Sequence, residues 1–404
     1  MVCIIIFMGV CLRASCWTRI CTDIWGKFLK CQYFNQCRGC SLPLDYEVQL
    51  QKKIQTLKTL GLHTQEIYTS PKEGFRSRAE FRIYRDHLGL HYAMSIGNQP
   101  LPINSCPILL PHLQELLKQL LPLLNASEIL KHKLFSLEVL GTLQGESLLT
   151  LLYHRPLDHI WESEAKKLEE QLKIQIIGRS KGKKNILSGE YLQDKLLLEE
   201  KEYSFIRYDN AFSQPNPYTN IKMLEFVLKC VREAKNKEDL LELYCGGGNF
   251  TIPLAQEFHK VFATEIAKNS IKALHQNIQN NHLSNIFCAR LSGEESIEAL
   301  RFQRDFFRLR EVDLGSYNFS HILIDPPRSG VGNSAMLNFI SSFKNIIYIS
   351  CNPCTLKEDL DVLLQTHEIK RFALFDQFPY THHIESGVWL QKKTTPSFIA
   401  IQES

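Results

Sequence analysis

The sequence has no apolar run as long as the roughly 18 to 20 residues that cross a bilayer, and it has neither an internal repeat nor a low-complexity tract. It also lacks an excess of either charge: 47 Lys+Arg against 43 Asp+Glu leave a net charge of +4. Any contact with nucleic acid must therefore come from local basic patches. With 44% hydrophobic and 22% charged residues, the composition excludes a disordered, collagenous or coiled-coil chain. The 13 cysteines are an odd number in 404 residues, which argues against a disulfide framework. They read instead as core residues, metal ligands or a nucleophile in a reducing cytosol. The longest apolar stretch, residues 1–12, resembles the core of a signal peptide but has no basic residue before it, and Arg13 is wrong for a lipoprotein signal ending at Cys16. Residues 1–28 are therefore expected to be a weakly structured extension.

Length predicts two domains beyond that extension. Residues 29–70 hold a cysteine cluster and then an amphipathic helix with Leu50, Ile54, Leu57 and Leu60 at helical spacing. Residues 71–210 read as α+β. In FRSRAEFRIYRD, Phe75, Ala79, Phe81 and Ile83 alternate with Arg76, Arg78, Glu80 and Arg82, the period of a strand with one buried face. Residues 147–153 and 173–178 are further strands, separated by a charged helix over 160–172. Beyond residue 210 the chain alternates short aliphatic strands, at 240–244, 260–264, 321–324 and 345–350, with helical stretches. That pattern predicts an α/β domain with a parallel sheet and helices on both faces. Residues 371–376 and 387–392 are expected to add an antiparallel pair at its end.

The stretch LLELYCGGGNF is a hydrophobic strand running into three glycines and a helix. Glu265 ends the next strand, 19 residues beyond Gly246, where a carboxylate can accept hydrogen bonds from a ribose diol. A dinucleotide would favour G-x-G-x-x-G, and here the run is GGGN. S-adenosylmethionine has no pyrophosphate to seat on the helix N-terminus and fits the turn better. In HILIDPPR, proline holds Asp325 extended at the carboxyl edge of the sheet. The next strand delivers Cys351 to the same edge. A thiol there suits uracil chemistry. C5 of uracil is a poor nucleophile until a thiolate adds at C6, and after methyl transfer a base must remove the C5 proton. Glu385 is the candidate base, with His382 and His383 as alternatives.

These stretches, together with HKLFSLEVL, LLTLLYH, NAFSQPN, ATEIAK, DPPRSG, YISCNP and FALFDQFPYTHHIE, resemble the tRNA (uracil-5-)-methyltransferase family from about Phe75 to Lys392. The resemblance implies a C-terminal Rossmann-like class I methyltransferase domain over 211–404. It implies an α+β RNA-recognition region within 29–210. The implied activity is formation of 5-methyluridine at position 54 of the tRNA T-loop, with S-adenosyl-L-methionine as methyl donor. Cys351 would be the nucleophile, Glu385 the proton acceptor, and Gln214, Tyr244, Asn249, Glu265 and Asp325 the cofactor residues. Where relatives often carry Asn, this chain has Gly247. A cytoplasmic monomer, without membrane or protein partners, is expected. The rival readings are a 23S rRNA uridine-C5 methyltransferase and, in another class, an RNA chaperone that folds tRNA independently of methylation.

Cys31, Cys37 and Cys40 form C-x5-C-x2-C, and Cys106 stands in a Ser-Cys-Pro sequence. Four thiolates suit tetrahedral zinc or an iron–sulfur cluster, and spacing alone does not choose between them or free thiols. The pattern resembles that of the rRNA branch of the superfamily, which implies a 4Fe-4S cluster. Cys230, Cys245, Cys288 and Cys354 read as packing residues. For RNA, Arg76, Arg78, Arg82 and Arg85 supply one basic face and Lys181, Lys183 and Lys184 another. Phe81 and Tyr380 are candidates to stack on a flipped base.

Overall fold

The computed structural model describes residues 29–96 and 99–394, so the extension expected over residues 1–28 lies outside the described residues. The C-terminal half builds an eight-stranded sheet. Across it the strands run Glu66–Tyr68, His367–Phe375, Glu385–Lys392, Asn345–Ser350, Phe319–Ile324, Asp239–Leu243, Val261–Thr264 and Ile286–Ala289. The five from Asn345–Ser350 outward are mutually parallel. Their continuous aliphatic runs follow from burial on both faces, and Val261–Thr264 and Asn345–Ser350 are buried at every position. The expected antiparallel pair is present, its first strand beginning at His367 rather than 371.

Two strands of this sheet lie outside the expected set: Ile286–Ala289, in a stretch expected to be helical, and the edge strand Glu66–Tyr68. Glu66–Tyr68 pairs in parallel with residues 373–375 on the open edge of the pair. The helix Tyr46–Thr59 precedes it, buries Leu50, Ile54 and Leu57 as its spacing predicts, and shares one apolar core with the large sheet. Leu60 caps the helix and is partly buried. Lys53, on the same helix, reaches Asp376 at 2.6 Å with both side chains almost wholly buried. Gln49 and the carbonyl of Phe378 complete this network. Each buried charge depends on its partner, so the helix fixes the start of the loop that leads from the strand His367–Phe375 to Glu385.

Seven further strands form a second sheet in the order Gln99–Ile103, Gly89–Ile96, Arg78–Asp86, Leu134–Gly141, Ser147–Tyr153, Gln175–Ser180 and Lys183–Ile186. Its core is closed by helices Pro111–Ala126 and His159–Leu172. A hairpin, Tyr191–Leu198 with Lys201–Tyr208, leads from it toward the large sheet. No helix among the described residues is long and apolar enough to cross a membrane.

Candidate active site

The parallel strands end at one edge of the large sheet, where open α/β folds bind ligands. A cavity of about 890 Å³ lies there, within the range of small-molecule sites. Gln214, Tyr244, Asn249, Glu265, Asp325, Cys351 and Glu385 all line it. These seven residues come from six separate segments of chain.

After Asp239–Leu243 the backbone turns through left-handed positions at Tyr244 (φ 61°), Gly246 (φ 56°) and Gly248 (φ 86°). Gly248 is obligatory for a further reason: a Cβ there would lie 2.4 Å from Leu274 on the helix Lys268–Asn280. A Cβ at Gly247, by contrast, meets Ala273 at an ordinary 3.5 Å. Tyr244 is not a glycine, and a left-handed conformation at such a residue stores strain of the kind found at functional sites. The Gly246 N–H donates to one Glu265 oxygen at 3.0 Å and the Ala267 N–H to the other at 2.7 Å. The carboxylate is thereby aimed into the cavity with acceptor capacity to spare. Asn249 exchanges amide hydrogen bonds with Asn220 at 2.8 and 2.9 Å. The side-chain amide of Gln214 lies 2.9 Å from that of Gln377.

Register explains why Cys351 and Glu385 meet. Ser350 is directly opposite Ser386 in the antiparallel ladder, so the next step along both strands brings Cys351 across from Glu385. Burial pushes the Cys351 thiol up to about 11, the charges of Glu385 and Asp325 push in the same direction, and Arg328 pulls it down. Burial raises Glu385 well above the usual carboxyl range, with Asp325 adding to the shift. Asp325 itself is raised to about 7, by burial and then by the charge of Glu265. Burial is the leading cause of all three shifts, with the neighbouring acidic groups adding to it. Both histidines are exposed, but His383 lines the cavity and lies 3.0 Å from Arg328, whereas His382 does not line it.

Sequence reasoning missed two residues. Glu242, inside the buried strand Asp239–Leu243, does not line the cavity itself and is raised by burial to about 8, with Thr251 pulling it down. A lone acid within an aliphatic strand was the available signal. Phe212 lines the cavity with 71% of its surface exposed, and only exposure distinguishes it from the other aromatics.

Several expectations for RNA contact need correction. Arg76 and Arg78 are not free surface charges. Arg76 lines the cysteine cavity and donates to the carbonyl of Arg78. Arg78 donates to the carbonyls of Asp209 and Ala211, clamping the segment that carries Phe212 and Gln214. Arg82 and Arg85 remain exposed, as do Lys181 and Lys183, while Lys184 is paired with Glu190 and Asp209. Neither Phe81 nor Tyr380 can stack on a base. They are 2% and 1% exposed, Phe81 against Tyr92 and Tyr380 against Phe34 and Tyr46. Phe212 and Phe378 occupy the cavity instead. Of the presumed packing cysteines, Cys230 and Cys245 are buried and Cys288 is partly buried, but Cys354 is exposed.

Cys31, Cys37, Cys40 and Cys106 line one separate cavity of about 120 Å³, walled by Phe34, Phe81, Met94 and Ile108. Burial, reinforced by the neighbouring cysteines, pushes the thiols of Cys40 and Cys106 up to about 12. Among the described residues, no three His, Cys, Asp or Glu side chains converge closely enough to hold a single metal ion.

A family model described as tRNA (Uracil-5-)-methyltransferase matches residues 45–393. The tRNA/tmRNA (uracil-C(5))-methyltransferase of Helicobacter hepaticus is 44% identical over 399 residues, covering 90% of this chain and 99% of that protein. Its namesake from Wolinella succinogenes is 46% identical over 372 residues, with the same coverage. Among solved structures, the Pyrococcus abyssi tRNA (uracil-54, C5)-methyltransferase in complex with S-adenosyl-L-homocysteine shares the fold. Its TM-score is 0.67 at 22% identity, covering 88% of this chain and 86% of that one.

Proposed function

The chain belongs to the tRNA (uracil-5-)-methyltransferase family, and from that premise we propose that it methylates C5 of a uracil in the tRNA T-loop, at position 54, through a covalent adduct on Cys351. The observation that carries the reading is the meeting of Cys351, Glu385 and Asp325 with the glycine turn and Glu265 around one cavity. S-adenosylmethionine, when bound, supplies an electrophilic methyl on a cationic sulfonium. A cation entering the cavity would favour the ionised forms of Asp325 and Glu385, whose carboxyl groups burial holds toward the neutral form. Glu265 is oriented by two backbone N–H groups to receive a ribose diol. Gln214, Tyr244 and Asn249 complete the proposed cofactor wall.

Cys351 adds to C6 of the uracil and gives C5 enolate character, so that C5 can take the methyl group. Its thiol is held protonated in the free site and ionises more readily when positive charge enters the cavity. Glu385 then takes the C5 proton and Cys351 departs. Burial raises the Glu385 carboxyl, which makes its ionised form a stronger proton acceptor than an exposed carboxylate. The seven-stranded region, with Arg82, Arg85, Lys181 and Lys183 exposed, is the proposed RNA-recognition part, and Phe212 or Phe378 the stacking partner of the flipped base.

Mapping 5-methyluridine in total RNA from cells with and without the gene tests the substrate. The expected result is loss of the modification at position 54 of tRNA; a loss confined to rRNA would overturn the T-loop assignment. The relatives' names also include tmRNA, so the same map should cover it.

For the second cavity, the proposed occupant is a 4Fe-4S cluster. Four soft thiols in an apolar enclosure support it. Cys31, Cys37, Cys40 and Cys106 would be its thiolate ligands. Protein purified without oxygen should carry about four iron atoms and absorb broadly in the visible, and a Cys40→Ser variant should lose both. Iron-free, colourless parent protein would exclude the cluster.

A further inference from the structure

The loop that joins the strand His367–Phe375 to Glu385 brings Phe378 and His383 to the cavity, and its shape is imposed by residues far away in the chain. Phe378 is partly buried, with its ring edge-on to that of His383 at 5.5 Å between centroids. Its carbonyl accepts three hydrogen bonds, from Lys53 Nζ at 2.9 Å, from Thr381 Oγ1 at 2.8 Å and from the Thr381 N–H at 3.3 Å. Pro379 disfavours the helical region for Phe378. Tyr380 is left-handed (φ 62°), a costly conformation for a residue with a Cβ. Such a turn persists only where its surroundings over-determine it. Here the Leu42 N–H donates to the Tyr380 carbonyl at 2.8 Å, and the Tyr380 hydroxyl donates to the Lys72 carbonyl at 2.9 Å.

Lys53 is the member of this scaffold that packing does not explain. Its side chain is 3% exposed and pairs with Asp376 at 2.6 Å. Replacing such a buried pair by apolar residues often costs a fold nothing, so the charge calls for a reason beyond stability. An apolar residue cannot donate a hydrogen bond. Asp376 has other ties: its carboxylate accepts from Gln49 Nε2 at 3.0 Å, its N–H donates to the Tyr68 carbonyl at 2.9 Å, and its carbonyl accepts from Thr219 Oγ1 at 3.4 Å. For the Phe378 carbonyl, Lys53 is the one donor from outside the loop among the described residues. We infer that Lys53 is a positioning residue for RNA: by holding that carbonyl it presents the Phe378 ring to the flipped base. This rests on the proposed function, and it selects Phe378 over Phe212, whose side chain is 71% exposed. A ring ordered before binding loses less freedom when a base stacks on it.

Lys53→Met alone would leave Asp376 in the core without its counter-charge. The variants to compare are therefore Lys53→Met/Asp376→Asn, Phe378→Ala and the triple combination. Each full-length protein is measured for its tRNA dissociation constant, for kcat and KM in methyl transfer, and for S-adenosylmethionine affinity as a check on the fold. Phe378→Ala should weaken tRNA binding and raise KM by at least about fivefold, the loss of one stacked base, with kcat within about threefold of the parent. The double variant should do the same. The triple variant should be no worse than Phe378→Ala, because Lys53 acts through that ring. The inference is overturned if the double variant binds tRNA as the parent does, if the two effects add in the triple variant, or if Phe378→Ala leaves tRNA binding unchanged. A double variant that no longer binds S-adenosylmethionine would assign the pair to the fold and overturn it as well. Tight tRNA binding by a parent that transfers no methyl group counts against the proposed activity instead, and the dissociation constants still decide the role of Lys53.

Discussion

Cys351→Ala is expected to eliminate methyl transfer, with a fall on the order of 10⁴-fold or more, as when a covalent nucleophile is removed from its site. The change takes one sulfur atom from the end of the strand Asn345–Ser350 and leaves the glycine turn, Glu265 and Asp325 in place. Stability should shift by no more than about 1 kcal/mol, and S-adenosylmethionine should still bind. Three measurements belong together: methyl incorporation into tRNA, cofactor affinity, and a denaturing gel for protein–RNA adducts. Incorporation and adduct should vanish while cofactor binding stays within a few fold. Turnover within tenfold of the parent would mean that no bond to Cys351 is needed. The same variant addresses the RNA chaperone reading, because a protein that refolds tRNA without chemistry should lose nothing with this sulfur.

The parts of the site that were legible in the sequence are those where backbone geometry dictates residue type. Parallel strands buried on both faces appear as unbroken aliphatic runs. They stop where the chain must turn sharply, so Gly246 and Gly248 mark the end of one strand and Pro326 the end of another. Catalytic residues at such stops share the carboxyl edge of the sheet whatever lies between them in sequence. What alternation cannot tell is what covers a face. The arginine strand has the expected period, yet Arg76 and Arg78 are covered by the cysteine cavity and by the segment before Gln214. Aromatic residues are similarly ambiguous: Phe81 and Tyr380 are core, while Phe212 stands in the open. The three-residue strand Glu66–Tyr68 is too short to carry a periodic signal. Its place comes from pairing with residues 373–375 and from the helix Tyr46–Thr59 ahead of it. The Lys53–Asp376 pair, which joins residues 323 positions apart, has no local signature at all.

Glu385→Gln separates the two halves of the mechanism, because it should stop the reaction after the methyl group has moved. The amide has nearly the same shape as the acid, so packing against Cys351 and the neighbouring strand is kept. It cannot accept the C5 proton, and without that loss the Cys351–C6 bond cannot break by elimination. Methylated RNA should therefore accumulate as a protein adduct that survives denaturation, with multiple turnover reduced by on the order of 10² to 10⁴-fold, the usual range for a lost general base. A single-turnover experiment should show one methyl group transferred per enzyme, trapped in the slow-migrating band. Cys351→Ala combined with Glu385→Gln should abolish that band, which assigns the bond to the cysteine. His383 is the rival acceptor in the same cavity. It sits beside the Arg328 guanidinium at 3.0 Å, and burial followed by that charge lowers its pKa, which makes it the weaker base of the two. If Glu385→Gln turns over slowly without a trapped adduct while His383→Gln accumulates one, the proton goes to the histidine. The reverse pattern leaves the carboxyl group opposite Cys351 as its destination.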